Sequence, residues 1–583
     1  MASMNFCAAF AGRVFALLLL CALLFFFPIQ DVPFANKGEP REGIVVQAIV
    51  NEGNWVFPLR PDGRLPSKPP LFHWLGSLAS LAYGQTTEAT VRFPSALLAT
   101  FGVLLVYALG RRMFGEEGGF WGAVVLATSF DYHSLGIAAR VDMTLAFFVT
   151  LSLVLFYFIE SKCLSGALWR ALFYLTLGLG VLAKGPISFV LVTLVIALFY
   201  LQARRWSELR QFFFSRGMLL ALAVAGSWYA VALAAGGEKF FHKQILQENL
   251  LRFWAAGEEG TGHAKPFYFY VPYLFLNGLP WTLFLPLMIL DGWKRRPVLD
   301  SAQKFLILWV AGMFLLLSLS TGKRADYLLP LYPAVALLIA RWLGTAGEPA
   351  EKKPPMARTM GAFFILVGIL ALLLFWDAAR SSGSELLSFV ASRLRERERQ
   401  EVLWVARALQ DQRWVVSAIL LLFALVSLLA GRALMKGRLR AARLFVSVLA
   451  VLALAFAHLG ARRAIAENKS YAPFVAQANR ELSRGGVLYV YGDGFDKYQI
   501  TFYHGRAVPA LNEEPQKLGQ RLRGEDLVIL SEAQWRRLAA HDAGFPAPIA
   551  KSKGVGPDGD APLVLIRGSD LKLSRPQGLE KKL

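Results

Sequence analysis

Apolar runs of about 20 residues recur along the whole chain with short polar breaks between them, and few folds are compatible with that pattern. Hydrocarbon offers a backbone N–H or C=O no partner, so such runs must close their hydrogen bonds within each segment, as helices. Read by length, they give about 13 spans: 13–29, 92–112, 118–138, 142–161, 168–184, 186–203, 217–236, 266–290, 303–320, 325–344, 358–377, 414–434 and 443–460. The expected fold is an all-α polytopic membrane protein. Composition agrees, with 55% hydrophobic and only 18% charged residues and a mean hydropathy of +0.45. The net charge of +21 does not point to nucleic acid, because a soluble nucleic-acid binder does not interleave its basic residues with membrane-length apolar runs. Orientation in the bilayer and contact with anionic lipid account for it. The three cysteines, Cys7, Cys21 and Cys163, lie in or near apolar segments without paired spacing, so neither a disulfide framework nor a cysteine metal site is expected. The run after Arg13 meets Pro28-Ile29-Gln30-Asp31-Val32-Pro33 rather than a small-x-small cleavage site, and reads as an anchor.

Loop charge sets the direction of the spans. Alternate loops hold the basic clusters, such as Arg111-Arg112, Arg204-Arg205, Lys294-Arg295-Arg296 and Lys436 with Arg438 and Arg440, and these are expected in the cytoplasm. The long 30–91 loop mixes acids and bases and is expected outside. The N-terminus is then cytoplasmic and the tail periplasmic, in a bacterial inner membrane. Interfacial helices are expected at 41–56, 239–254 and 384–409. The expected division is a transmembrane domain over 1–462 and a small α/β domain over 463–583, with helix at 472–482, strands at 487–491, 499–503, 526–530 and 563–566, and a disordered end from Lys572.

The polar clusters fall on the outer side: Glu39 and Arg41 after the first span, Ser67-Lys68-Pro69-Pro70 closing the same loop, Arg140 and Asp142, Lys184-Gly185-Pro186, His263-Ala264-Lys265, and Lys323-Arg324-Ala325-Asp326-Tyr327. Singly, each has a plainer reading. Glu39 with Arg41, or Arg140 with Asp142, can be a local ion pair or helix cap; Lys184 and Lys323 can be snorkelling lysines; His263 can be a hydrogen-bonded surface histidine. Together, cations and carboxylates from five loops on one face suit a lipid-linked phosphate, with Lys68, Lys184, Lys323, Arg324 and Lys265 neutralising it and a carboxylate taking a proton from an attacking group.

These residues carry a resemblance. Glu39-Pro40-Arg41, Gly53-Asn54-Trp55-Val56-Phe57-Pro58, Lys68-Pro69-Pro70, Arg92-Phe93-Pro94-Ser95-Ala96, Ala139-Arg140-Val141-Asp142, Leu182-Ala183-Lys184-Gly185-Pro186, His263 with Pro266-Phe267-Tyr268, and Gly322-Lys323-Arg324 with Tyr327 stand in family order. In this the chain resembles the GT-C glycosyltransferases that use polyprenyl-phosphate sugars, in the branch with lipid A aminoarabinose transferases and protein O-mannosyltransferases. The resemblance implies inverting, metal-independent transfer from an undecaprenyl-type phosphate sugar to a lipid A, envelope glycan or protein acceptor at the periplasmic face. Glu39 and Asp142 would be the catalytic acids. Arg41, Lys68, Arg140, Lys184, Lys323 and Arg324 would hold the donor phosphate, and His263 and Tyr327 would lie near the acceptor or lid. Two departures stand out. Gly38 occupies a position where the family has Asp, leaving three readings: Glu39 takes over, the motif is offset by one, or activity is lost. Ser67 replaces the Glu that joins the family histidine at a metal, which argues against a metal at His263; no cofactor is required. A lipid-linked-sugar transporter or flippase is the alternative of another class, and it would show inverted repeats, broken helices or midplane charges.

Overall fold

The structure, a computed structural model, describes residues 2–30, 32–251, 265–296, 298–345, 355–379, 389, 391–483, 485–492, 495–511, 522–541, 545–557 and 562–573. It is a bundle of apolar helices followed by a small five-stranded sheet. Among the described residues ten helices are long and apolar enough to cross a membrane, or up to eleven if the pair Phe267–Asn277 and Trp281–Arg295, bent by 108°, counts as one span. The expectation of about 13 spans differs through segmentation. Residues 88–127 form one helical stretch, but the chain folds back at Gly115, whose φ of 79° lies in the left-handed region. A Cβ on Gly119 would stand 2.5 Å from the backbone of Arg111 and Tyr107, so the two arms pack backbone to backbone. The Ile187–Gln202 helix, apolar throughout, is shorter than the span criterion.

Of the expected interfacial helices, the first runs Gly38–Glu52 and closes on Gly53 in the left-handed conformation. The second follows a kink at Gly237, whose φ of 53° interrupts the Arg216–Phe240 stretch, and runs on in wider, π-type turns over Phe241–Leu251. The third is Glu396–Asp411. Residues 252–254 and 574–583 lie outside the described residues.

In the tail, the sheet has strand order β2-β1-β3-β5-β4, with β1 Leu488–Tyr491, β2 Ala510–Leu511, β3 Leu527–Ser531, β4 Ala550–Lys551 and β5 Leu563–Arg567. β2, β1 and β3 are parallel; β5 runs antiparallel to β3 and β4 antiparallel to β5. β3 is buried along its whole length, as its unbroken apolar run requires in a sheet covered on both faces. The expected helix at 472–482 and strands at 487–491, 526–530 and 563–566 correspond to elements of the sheet and its first helix. The expected strand at 499–503 is instead a helix, Lys497–His504. Asp496 accepts from the Tyr498 N–H at its start, and Gly505, at φ 77°, ends it. The alternation of Ile500 and Phe502 mimics a strand, but this segment is a peg that docks on the first outer loop.

That docking fixes the loop. Phe34, Ile44, Val46, Phe72, Val91, Ala139, Val141 and Phe502 form one buried cluster drawn from two connecting segments, four helices and the tail. The Phe34 N–H donates to the Tyr503 hydroxyl, 2.8 Å, which donates in turn to Glu88, 2.9 Å. Gln47 donates to the Phe502 carbonyl, 3.0 Å. Gly43 admits the Phe502 ring, which a Cβ at that position would meet at 2.8 Å. Gly43→Val is therefore expected to destabilise the protein by about 1–3 kcal/mol through overpacking. Thermal unfolding in detergent, with limited proteolysis of the tail, would show a lower midpoint and faster release; an unchanged midpoint would mean that the tail is not held at this contact.

Candidate active site

The loops at one end of the bundle bring together a chain of alternating charges. Lys184 ends the Ala167–Lys184 helix, and Gly185 and Pro186 turn the backbone directly into the next helix. Its ammonium bonds the Asp142 carboxylate and lies 4.4 Å from the centre of the Tyr327 ring. Asp142 sits in the first turn of the Val141–Glu160 helix, where the positive end of the helix dipole favours an anion. Arg140, just before that turn, reaches Asp142 at 3.6 Å and Asp326 at 3.2 Å, and Arg324 reaches the same Asp326 oxygen at 3.1 Å. Nearby, Lys68 donates to Glu248, 2.9 Å, whose other oxygen meets Lys243 at 3.1 Å.

Two spaces meet at Lys68. One is a groove of about 370 Å³ whose walls include Leu145, Ile187, Val190, Leu191, Leu316 and Leu317, with Lys184 and Tyr327 also on its lining. The other is a cavity of about 520 Å³ lined by Arg41, Arg60, Arg64, Lys239, Lys243 and Arg324, with Tyr498 of the tail on its wall. Lys68 and Glu248 border both. An apolar channel therefore opens beside two lysines into a strongly cationic chamber.

Asp142, Arg140, Lys184, Arg324 and Tyr327 are thus brought together, with Lys68 at the junction and Arg41 on the chamber wall. Glu39 is not among them. Its buried carboxylate accepts from Arg92 through Nε, 2.7 Å, and Nη2, 3.2 Å, from Asn36, 2.8 Å, and from the Ala139 N–H, 3.0 Å. Burial alone would raise its pKa, but Arg92, with Arg462 and the Ala139 N–H, more than offsets this and pulls it down to about 2. A carboxylate so engaged is a poor proton acceptor, and the expected catalytic role for Glu39 gives way to a structural one. Lys323 also stands apart from the cluster. Its ammonium is held by the carbonyls of Lys265, 3.1 Å, and Ser320, and burial pushes its pKa down. His263 lies outside the described residues.

Three groups escaped the sequence reading. Glu42, one turn after Glu39, accepts from Arg41, 2.9 Å, and bonds His73, 2.8 Å; despite burial, these neighbours hold it well below the usual carboxylate range. Glu248 is the acid between the two lysines. Arg92, visible only as a motif residue, is the partner that consumes Glu39. Spacing on the first-loop helix makes Glu42 legible, whereas nothing local announces that residues 53 and 180 positions apart will pair.

In architecture the chain shares the fold of ArnT from Cupriavidus metallidurans, and in sequence it resembles undecaprenyl phosphate-aminoarabinose arabinosyl transferases. It is 27% identical over 370 residues to the undecaprenyl phosphate-alpha-4-amino-4-deoxy-L-arabinose arabinosyl transferase 2 of Sodalis glossinidius, covering 62% of this chain and 66% of that protein. The corresponding transferase of Pseudomonas paraeruginosa is 32% identical over 345 residues, covering 57% of this chain and 60% of that one. The chain thus spans just under two thirds of the length of the curated relatives it matches first. Residues 67–229 match the dolichyl-phosphate-mannose-protein mannosyltransferase family. In fold, ArnT from Cupriavidus metallidurans superposes with a TM-score of 0.72 in its apo state, at 18% identity, over 98% of this chain and 100% of that one. Its undecaprenyl phosphate complex gives 0.71 at 17% identity, over 95% and 98%.

If Glu39 is a strut, its loss is a stability defect. Glu39→Gln leaves a buried guanidinium without its counter-charge, at a cost of about 3–5 kcal/mol. The pH dependence follows the same logic: the folded-state pKa of about 2 lies below the ordinary 4.5, so this contribution is complete above 4.5 and is lost as pH falls toward 2. Thermal unfolding of the variant in detergent, and of the parent across acid pH, measures both. A variant with parental stability that lacks only transfer would restore Glu39 as a catalytic acid.

Proposed function

We propose that the chain transfers a sugar from an undecaprenyl-type phosphate donor to an anionic glycolipid such as lipid A. The observation that carries this is the meeting of the apolar groove with the cationic chamber at Lys68, beside Lys184. The groove suits a prenyl chain. Lys184 and Lys68 can bond the donor's phosphate and take up the charge that grows on it as the glycosidic C–O bond breaks. A phosphate is already a good leaving group, so no strong general acid is needed. The acceptor oxygen attacks the anomeric carbon from the opposite face, and the configuration inverts.

Asp142 is a positioning residue in this scheme. It bonds Lys184 and lies near Arg140, and so fixes the ammonium and guanidinium that face the reactants. The chamber favours a phosphorylated glycolipid over a protein hydroxyl, because seven cationic side chains, Lys68 among them, line it. A phosphate oxygen acceptor arrives already ionised, which removes the need for a base that Glu39 is ill placed to supply. Another envelope glycan or a protein would be the acceptor only if anionic groups proved dispensable. This reading needs no metal, since side-chain cations supply the charge.

We further propose that about 13 segments cross an inner membrane, with the short Ile187–Gln202 helix and the arm after Gly115 included. The basic loops then face the cytoplasm and the tail, residues 463–583, faces the periplasm beside the donor phosphate. The helical run that carries this boundary extends from Leu439 through Lys469 and breaks at Ser470, before the tail's first helix, Ala472–Glu481.

Lys184→Met and Lys68→Met should each lower transfer about 10²-fold or more, since each removes a charge from the leaving phosphate. A membrane assay with radiolabelled undecaprenyl-phosphate sugar, offering lipid A with and without its phosphates, is the test. Transfer that is equal in the parent and both variants would defeat the assignment, and no transfer in any of them would mark an inactive homologue.

A further inference from the structure

Behind the Glu39–Arg92 pair lies a third cavity, of about 370 Å³, that shares no lining residue with the groove or the chamber. Its walls come from residues 32–39, the stretch 130–137 and the last transmembrane helix. Leu454, Ala457, Ala461 and Ile465 lay an apolar stripe along that helix at helical spacing. Against the stripe project the side chains of His133, His458, Arg92 and Arg462.

The charges in this cavity do not balance. Arg92 is spent on Glu39 and on the Val32 carbonyl, 2.5 Å. Arg462 donates to the carbonyls of Pro28 and Ile137, both at 3.1 Å, and among the described residues no carboxylate stands within ion-pair distance of it. Among the described residues one guanidinium charge is therefore left over in a largely apolar enclosure, which is costly without a counter-ion. His133 and His458 are 5% and 9% exposed, and in each the Nδ1 atom has no hydrogen-bond partner among the described residues. Arg462 borders the cavity with the His133 and His458 side chains, and a monoanion with several acceptor oxygens there suits the guanidinium donors that the two carbonyls leave over.

We infer that this cavity binds the phosphodiester of an anionic lipid headgroup. A lipid source fits because the cavity lies at the ends of the first and last membrane-spanning helices, where headgroup phosphates lie, and because an apolar helix face continues from it along the bundle. The bound phosphate meets Arg462 and the two imidazoles and supplies the missing negative charge. Asn36 and Glu39 also border the cavity, so its occupant braces the loop that carries residues 38–42 without touching the reactants. It is a structural ligand, separate from donor and acceptor.

The test uses the full chain purified in detergent, with phosphatidylglycerol, phosphatidylcholine or inorganic phosphate added, and reads retained lipid by native mass spectrometry and the thermal unfolding midpoint. Phosphatidylglycerol is expected to be retained and to raise the midpoint, and phosphatidylcholine and inorganic phosphate to do so far less. His458→Leu and Arg462→Met should each weaken retention about tenfold, as the loss of one bond to a charged group predicts. Arg462→Met also removes the brace on Pro28 and Ile137, so His458→Leu decides the matter if that variant does not fold. Lys184→Met should leave retention unchanged, which separates this site from the donor groove. Retention untouched by His458→Leu would overturn the site. Inorganic phosphate protecting as well as phosphatidylglycerol, and losing its effect in His458→Leu, would overturn the lipid assignment in favour of a free anion.

Discussion

The buried ion pair between Glu39 and Arg92 is the contact on which the arrangement of the loops around the charged cluster depends. It joins the first-loop helix to the helix that begins at Glu88, and through the Ala139 N–H it reaches the turn before Asp142. Desolvating two charges is expensive, and the expense is recovered only where geometry is good and remaining lone pairs are satisfied. Here both carboxylate oxygens accept two bonds, and the third guanidinium nitrogen finds the Val32 carbonyl. The pair therefore acts as a rivet at the place where the loop would otherwise be free to shift. The tail adds a second fastening on the loop's other side, through Phe502 and Tyr503.

With the loop fixed, the charged cluster beside it keeps its place, with Arg140, Asp142 and Lys184 largely buried. From Lys184 to Arg324 the signs alternate, so each ion has an opposite neighbour and the set ends in cations at both extremities. The interior carboxylates, Asp142 and Asp326, serve chiefly to hold cations in place, and the outer cations remain available to a phosphate. Lys68 repeats the arrangement, tied by Glu248 at the boundary of groove and chamber. In both cases the acids position and the bases bind.

Much of this was legible in the sequence because membrane folds are written in long runs. The helices, the first-loop helix, the tail's central strands and the gathering of Lys184, Asp142, Arg140 and Arg324 follow from apolar length, loop charge and motif order. Two kinds of information were not legible. The first is local: Lys497–His504 has strand-like alternation at Ile500 and Phe502, and only Asp496 and Gly505 at its ends mark it as a helix. The second is pairing at long range. Glu39 looks like a catalytic acid until Arg92 is seen to occupy it, and Lys323 looks like a phosphate ligand until two backbone carbonyls claim it. A charged residue's sequence position tells where it lies; its partners decide what it can do, and those are set by tertiary packing.

Gly38 shows how far a single departure from a family pattern reaches. The resemblance places an acid at this position. A Cβ here would stand 2.0 Å from Arg140 Nη1, so the absence of a side chain is what lets the guanidinium lie against the first-loop helix. From that position Arg140 reaches both Asp142 and Asp326. A side chain at 38 would make the tip of the Arg140 guanidinium shift from the place where it now lies between the two acids. Gly38 and Arg140 are two parts of one arrangement, in which a cation fills the volume of a missing carboxylate and the neighbouring acids come from elsewhere in the chain.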